Sequence, residues 1–196
     1  MYKKYCKRII GFVLSFCGLI ICSIPMLIIS IAILSTSKGP VIYKQERLGK
    51  NEKHFTVYKF RTMIDKAYEK GGLATRSDDP RITRVGAFLR RTSLDELPQM
   101  INIIKGDMAI IGPRPILPWE FDGYRNNPVY KKRHSVLPGL FCSVDIKLRA
   151  SADRDTQFRM DSEYANNITF FNDLKLFFCV LKTVISGKNV YREEVK

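Results

Sequence analysis

Residues 9–34, IIGFVLSFCGLIICSIPMLIISIAIL, decide how this chain is built. The stretch is 26 residues long and contains no charged side chain. As a straight helix it would extend roughly 39 Å, which exceeds the ~30 Å hydrocarbon core of a bilayer. It is too long for the apolar region of a secretory signal peptide, and no small-residue cleavage site follows it. We therefore expect residues 1–37 to insert into a membrane.

The middle of this segment carries a helix-breaking signal. Pro25 removes an intrahelical hydrogen bond, and Ser23 can satisfy a carbonyl group that the bend releases. Both flanks are basic, and the positive-inside rule then places both ends on the cytoplasmic side. The flanking cations are Lys3, Lys4, Lys7 and Arg8 before the segment and Lys38, Lys44, Arg47 and Lys50 after it. We expect a re-entrant helix that enters and leaves by one face and breaks at Ser23 and Pro25; an ordinary span with a tolerated proline is the alternative.

The whole chain has the composition of a globular protein with an excess of positive charge. Its 196 residues include 33 Lys and Arg against 19 Asp and Glu, a net charge of +14, and 45% of them are hydrophobic. This content allows a buried core and excludes wholesale disorder. The five cysteines form no CxxC pair and only two histidines are present, so we expect neither a disulfide framework nor a zinc site. A metal ion here would be a hard cation held by carboxylates.

Hydrophobic periodicity divides residues 38–196 into short strands and helices. The predicted elements are strands over 41–43, 55–60 and 108–111, helices over 83–90, 97–104 and 168–185, and a helical turn over 65–70. The first two strands are close enough along the chain to form a β-hairpin. The last helix is amphipathic, and it either faces the core or lies in the bilayer interface. The predicted fold class is α+β, mostly helical with a small β-hairpin sheet.

The most informative polar stretch is RRTSLDELPQ, residues 90–99. Ser93 and Glu96 have the spacing of a capping box, which would give the acidic residues a structural role at a helix start. A helix start is also an anion site, and adjacent carboxylates among phosphate-binding cations commonly hold Mg²⁺ or attack phosphorus. The cations available for phosphate groups are Lys59, Arg61, Arg90, Arg91 and Arg114. Arg114 lies between two prolines, in a rigid loop that would aim its side chain.

Five short motifs resemble those of the bacterial sugar transferases, the monotopic phosphoglycosyl transferases. They are KFRTM (59–63), DPRIT (79–83), SLDELPQ (93–99), KGDM (105–108) and GPRP (112–115). The resemblance runs from Tyr2 to Leu181, nearly the whole chain, and these motifs in this order are highly specific. It implies transfer of a sugar 1-phosphate from a UDP-sugar to polyprenol (undecaprenyl) phosphate with release of UMP, as the first membrane step of surface-glycan synthesis.

The same resemblance implies roles for individual residues. Asp95 is the expected nucleophile, which forms a covalent phospho-sugar intermediate, and Glu96 is the expected second catalytic carboxylate and Mg²⁺ ligand. The expected substrate-binding residues are Lys59, Arg61, Arg90, Arg114 and Asp161. Residues 38–196 are expected to form a catalytic domain on the cytoplasmic face of the bacterial inner membrane, in contact with membrane lipids. Homo-oligomerisation is left open.

The resemblance weakens after Gly139, where residues 140–144 depart from the family pattern, so the sugar is not identified. Two other functions are compatible with the charge and the apolar segment. One is a membrane-bound glycosyltransferase that releases UDP and uses the two carboxylates as a metal site. The other is a non-catalytic protein that binds anionic lipids. We expect no nucleic-acid partner, because the basic stretches lack the interleaved aromatic residues of RNA-binding surfaces.

Overall fold

The computed structural model describes residues 1–67, 69, 79–144 and 153–186. The described helices are α1 (Lys7–Ile21), α2 (Ser23–Thr36), α3 (Arg84–Thr92), α4 (Gln99–Lys105), α5 (Pro128–Lys131), α6 (Arg154–Asn166) and α7 (Phe170–Ser186). The described strands are β1 (Ile42–Leu48), β2 (His54–Phe60), β3 (Ala109–Ile111) and β4 (Gly139–Phe141). A π-helical turn, Tyr2–Cys6, precedes α1, and 3₁₀ turns cover Lys50–Glu52, Leu94–Glu96, Pro118–Tyr124 and Lys132–Ser135. The described chain is therefore mostly helical with a small antiparallel sheet, as the sequence predicts.

Helices α1 and α2 form a bent apolar pair. Their axes differ by 61° and they meet at Cys22, directly before Ser23. The Ser23 hydroxyl donates to the Ile20 carbonyl oxygen at 2.7 Å and so satisfies an acceptor at the bend. Pro25 lies in the first turn of α2, where a missing N–H breaks no hydrogen bond within that helix. None of the described helices is long and apolar enough to cross a bilayer alone, whereas this bent pair meets the criterion of length and composition together.

The start of the bent pair is attached to the rest of the protein by polar contacts. Tyr2 Oη and Lys7 Nζ lie 2.6 and 2.5 Å from the Asp173 carboxylate of α7. Arg8 Nη2 donates to the Ile104 carbonyl oxygen, near the end of α4, at 2.7 Å. Lys7 and Arg8 belong to the basic flank of the apolar segment, and both thus bind partners within the protein.

Arg61, directly after β2, binds the backbone that follows α2. Its guanidinium group donates to the Lys38 and Ser37 carbonyl oxygens at 2.7 and 2.8 Å, and the residue is 6% exposed. Gly39 adopts φ = +112° beside this guanidinium, where a Cβ atom would overlap Arg61 Nη1. Both ends of the bent pair therefore contact one folded domain.

Strands β1 and β2 form the predicted hairpin. Tyr43 lies opposite Lys59, and Arg47 lies opposite Phe55. β1 extends beyond its predicted end, and β2 begins before its predicted start. Polar residues on the exposed face of each strand interrupt the apolar pattern from which the bounds were predicted. One edge of β2 pairs with β1, and α4 packs against the other edge.

The two predicted central helices are present with shifted ends. α3 begins where Thr83 Oγ1 accepts a hydrogen bond from the Gly86 N–H at 2.9 Å. Gly86 packs directly on the backbone of Thr62, where a Cβ atom would overlap the carbonyl group. α3 ends at Ser93, which takes the left-handed conformation with φ = 57°. α4 ends at Gly106, where φ = +95° favours glycine.

A second, parallel strand pair joins β3 to β4. Ala109 pairs with Gly139, and Ile111 pairs with Phe141. The sequence predicts β3 but not β4, because a three-residue strand carries too little alternation to be recognised. The segment that departs from the family pattern thus begins inside a sheet. The turn predicted over 65–70 is present over 65–67, and residues 68 and 70 lie outside the described part.

Helices α6 and α7 complete the core. One buried cluster consists of Leu48, Ile116, Phe121, Tyr130 and Phe158. α7 lies close to its predicted bounds and has two different sides. Its inner side buries Asp173 and Val180, whereas Phe171 and Phe178 on its outer side are 80% and 60% exposed. The helix therefore faces the core on one side and presents an apolar surface on the other.

Candidate active site

The short turn Leu94–Glu96 carries the two adjacent carboxylates between α3 and α4. The left-handed Ser93 ends α3, and Pro98 has no N–H with which to continue a helical ladder, so the intervening residues form a 3₁₀ turn. Because the helix is broken here, the turn contacts β2 on one side and the end of α3 on the other. The position of the two carboxylates in a short turn therefore follows from the local residues Ser93 and Pro98.

Glu96 forms an ion pair with Lys59 of β2. Lys59 Nζ lies 2.7 Å from Glu96 Oε1, and the two side chains are 26% and 21% exposed. Ser93 makes no capping hydrogen bond to the turn. The capping box that the S-x-x-E spacing suggests is therefore not formed, because Lys59, distant in sequence, binds the glutamate.

Burial and neighbouring charges shift the pKa of the Asp95 carboxyl group in opposite directions. Burial raises the pKa of its carboxyl group to about 6, while Lys59 lowers the pKa, Glu96 raises it and Arg90 lowers it. A carboxylate with a raised pKa is a stronger base, yet at neutral pH it remains mostly ionised. Asp95 is thus suited to nucleophilic attack.

Arg90, on the last turn of α3, reaches the same site. Its Nε donates to Thr62 Oγ1 at 2.8 Å, which orients the guanidinium group. Thr62 is itself fixed by the close packing of Gly86 on its backbone. Of the predicted site residues, the structure brings Lys59, Arg90, Asp95 and Glu96 together.

Arg114 belongs to a different cationic group. Its side chain is exposed, and its charge acts on Arg47, whose pKa burial lowers to about 10 while Glu120 opposes that shift. On the hairpin, Arg47 is opposite Phe55, whereas Lys59 is four residues further along β2. At about 3.3 Å per residue, roughly 13 Å of strand separates the two cationic groups.

Asp161 lies beneath the loop that carries Arg114. Its carboxylate is 2.8 Å from Arg133 Nη2, and the two side chains are 0% and 1% exposed. The same Arg133 nitrogen donates to the Arg114 carbonyl oxygen at 2.5 Å. Asp161 and Arg61, both predicted to bind substrate, are thus placed in buried contacts that support the backbone.

The two adjacent carboxylates are compatible with Mg²⁺. Within the described residues, no group of three or more His, Cys, Asp and Glu side chains converges on one point. Mg²⁺ does not require such a cage, since it commonly takes one or two carboxylates and completes its octahedron with water and substrate phosphates. Asp95 and Glu96 meet that requirement.

Three residues that organise the site were not predicted. Thr62 orients Arg90, Arg133 supports Arg114, and Asn102 joins α4 to β2. Thr62 belongs to the 59–63 motif, and Asn102 is an amide between two isoleucines of α4, so each carries a weak signal in the sequence. Arg133 carries none, because its partners lie 19 and 28 residues away.

Comparison with known proteins identifies the family of this chain. The model of the bacterial sugar transferase family matches residues 2–187. The uncharacterized sugar transferase EpsL of Bacillus subtilis is 36% identical over 173 residues, which cover 88% of this chain and 84% of that protein. The undecaprenyl-phosphate galactose phosphotransferase of Salmonella typhimurium is 36% identical over 96% of this chain but only 42% of its own length. A putative undecaprenyl-phosphate N-acetylgalactosaminyl 1-phosphate transferase of Bacillus subtilis is 46% identical over 61% of this chain and 67% of that protein.

Several relatives are much longer than this chain, which spans about four tenths of the length of the Salmonella protein and of similar proteins from Streptococcus agalactiae and Aeromonas hydrophila. The family model's match to residues 2–187 includes the bent apolar pair, the hairpin and the paired carboxylates. From the match over nearly its whole length, the chain belongs to the bacterial sugar transferase family.

Proposed function

We propose that this chain transfers a sugar 1-phosphate from a UDP-sugar to undecaprenyl phosphate and releases UMP, as the first membrane step in the synthesis of a surface glycan. The observation that carries the proposal is the position of Asp95 and Glu96 beside Lys59 and Arg90, in a domain attached to an apolar helix pair. Donor and acceptor both carry phosphate, which cationic side chains bind, and the acceptor is confined to the bilayer. The names of the Salmonella and Bacillus transferases support the same reaction class.

In the proposed first step, Asp95 attacks the phosphorus atom that bears the sugar. A bond forms between an Asp95 carboxylate oxygen and this phosphorus. The bond from the phosphorus to the bridging diphosphate oxygen breaks, and UMP leaves with that oxygen and its electron pair. Lys59 and Arg90 offset the charge of the phosphoryl oxygens, which would otherwise repel the attacking carboxylate.

In the second step, undecaprenyl phosphate takes the phospho-sugar. One of its phosphate oxygens attacks the same phosphorus atom, and the bond to Asp95 breaks, which regenerates the carboxylate. Mg²⁺ bound by Glu96 would supply further neutralisation of the diphosphate charge. Lys59 fixes the position of the Glu96 carboxylate.

The other predicted substrate ligands divide into two kinds. We propose that Arg114 holds a part of the donor remote from the attacked phosphorus, because its guanidinium group is exposed and lies with Arg47 further along the hairpin. For Arg61 and Asp161 we propose supporting roles in place of substrate binding, since their charged groups bind carbonyl oxygens and Arg133 within the protein.

We propose that α1 and α2 enter and leave the membrane by its cytoplasmic face. A re-entrant path is supported by the 61° bend and by the attachment of both ends to one domain, through Arg61 at the exit of α2 and Asp173 at the start of α1. The exposed phenylalanines of α7 would lie in the interface, because Phe170 contacts Tyr2 at the start of the pair.

The main alternative is a glycosyltransferase that moves only the sugar and releases UDP. The nucleotide product separates the two reactions. We would incubate the protein with undecaprenyl phosphate in nanodiscs and a panel of UDP-sugars, beginning with UDP-galactose and UDP-N-acetylgalactosamine, the sugars in the names of the relatives. UMP is expected from wild type and not from Asp95→Asn. Release of UDP would support the alternative, and vesicle binding by both proteins without any nucleotide product would favour a lipid-binding protein.

A further inference from the structure

Asn102 is a buried amide on α4 to which the proposed reaction gives no role. The residue is 0% exposed. Its side-chain oxygen accepts a hydrogen bond from the Tyr58 N–H at 3.1 Å, and its amide nitrogen donates to the Thr56 carbonyl oxygen at 2.6 Å. Both ends of the amide therefore bind the same edge of β2.

These two hydrogen bonds replace those that a neighbouring strand would make to this edge of β2. Backbone groups of residues two apart in a strand point to the same edge, and β1 occupies the opposite edge of β2. Buried backbone groups on the α4 side require partners of their own. Asparagine supplies a donor and an acceptor in one short planar group, so it matches a peptide unit.

The Asn102 contacts join the two elements that form the active site. α4 follows the turn that carries Glu96, and Lys59 directly follows Tyr58 on β2. The Lys59–Glu96 ion pair at 2.7 Å and the Asn102 hydrogen bonds thus connect α4 and its preceding turn to β2 at two points. α4 has only seven residues, so its position depends on such contacts and not on its own helical stability.

We infer that Asn102 is a positioning residue for the catalytic carboxylates. It fixes the register of α4 on β2 and thereby sets the distance from Lys59 to Asp95 and Glu96. The inference rests on the proposed function for the roles of the carboxylates, but the register itself can be measured without substrate.

The test compares two changes at Asn102 with a matched control. Asn102→Ser removes both bonds to β2, whereas Asn102→Gln keeps the amide but lengthens the side chain by one methylene. Gln157→Ser is the control, because Gln157 is a buried amide of α6, 3% exposed, and its side-chain oxygen accepts a hydrogen bond from Arg154 and not from β2. For folded protein in nanodiscs, Asn102→Ser should lower kcat by roughly 10- to 100-fold with the KM for UDP-sugar nearly unchanged. Asn102→Gln should show a smaller loss of kcat, and Gln157→Ser none.

A double-mutant cycle separates positioning from general destabilisation. If Asn102 acts through Lys59, adding Asn102→Ser to Lys59→Gln should lower kcat by no more than about 3-fold further. Losses that multiply fully would show that the two residues act independently and would overturn the inference.

A readout without substrate distinguishes failure of this inference from failure of the proposed function. Acetylation of Lys59, followed by mass spectrometry, should be faster in Asn102→Ser than in wild type and unchanged in Gln157→Ser, because the ion pair with Glu96 shields the amine. This holds whether or not any UDP-sugar yields UMP. Should Asn102→Ser not fold, Asn102→Gln decides, and a folded variant with wild-type kcat and wild-type Lys59 acetylation overturns the inference.

Discussion

Replacing Asp173 with alanine should destabilise the protein by detaching the start of the apolar helix pair. The Asp173 carboxylate accepts hydrogen bonds from Tyr2 Oη and Tyr164 Oη, both at 2.6 Å, and lies 2.5 Å from Lys7 Nζ. The side chains of Lys7 and Asp173 are 14% and 8% exposed, so solvent screens the ion pair little. Asp173→Ala leaves the Lys7 cation in a buried site without its counter-ion, and breaking a buried pair in this way costs about 3–5 kcal/mol.

This free energy converts into a measurable shift of the unfolding temperature. In a protein of this length, 1 kcal/mol shifts the midpoint by about 2–4 °C, so Asp173→Ala should unfold roughly 6–20 °C below wild type. Thermal unfolding in detergent, followed by near-UV circular dichroism, measures the shift. Lys4→Ala is the control, because Lys4 belongs to the same basic flank but is exposed, and it should leave the midpoint unchanged.

The double variant Lys7→Met/Asp173→Ala is the stricter test. With both charges removed, no uncompensated cation remains in the buried site, so the double variant should unfold at a higher temperature than Asp173→Ala alone. An Asp173→Ala midpoint within about 2 °C of wild type, or a double variant less stable than the single one, would refute the reasoning.

Four further outcomes test the site and the topology. Asp95→Asn should abolish turnover without unfolding the protein, and only wild type should exchange labelled UMP into the UDP-sugar when no acceptor is present; exchange by the variant would exclude Asp95 as nucleophile. Arg114→Lys should lower kcat/KM by about 10-fold or more, because an ammonium group cannot bind phosphate in a bidentate manner, while Arg159→Lys on the exposed side of α6 should have no effect. Burial beside Arg133 lowers the pKa of His134 to about 4, below its usual 6.5, so the unfolded state binds the extra proton; the contribution of His134 to stability should be full above pH 6.5 and fall by roughly 3 kcal/mol as the pH drops to 4, measured at each pH as the difference in unfolding free energy between wild type and His134→Asn, in which the raised pKa of Asp95 cancels. In intact cells, an externally added reagent should label neither a tag at the N-terminus nor a cysteine at position 36; labelling of either one would establish a spanning helix.

Local signals predicted the hairpin, α3, α4 and α7, because these elements depend on neighbouring residues, but no helix was predicted over Arg154–Asn166, where α6 lies. Their signals are apolar periodicity and, for α4, the glycine at its end. β4 escaped prediction since its partner, β3, is 30 residues earlier and each strand is only three residues long. Short parallel pairing depends on tertiary contacts that no window of sequence contains.

The chemistry of the charged side chains predicted which of them are able to bind phosphate. It did not always predict what each one contacts in the structure. Asp95, Glu96, Lys59 and Arg90 lie together, as predicted. Arg61 has the same chemical capacity, yet its guanidinium group binds backbone carbonyls directly after α2, because that helix ends within its reach. A guanidinium group donates equally well to phosphate and to carbonyl oxygen, so only the fold decides between them.

The attachment of the bent helix pair has a consequence for the order in which the protein matures. Residues 1–37 leave the ribosome before Arg61 and Asp173, which hold the two ends of the pair. At 5–20 residues per second, Asp173 is added roughly 7–27 s after the pair is complete. The hydrogen bond from Ser23 to the Ile20 carbonyl oxygen is local to the bend and needs neither of these later residues. On the proposed re-entrant path, insertion would therefore precede attachment, and the finished domain would secure a topology that the nascent segment had already adopted.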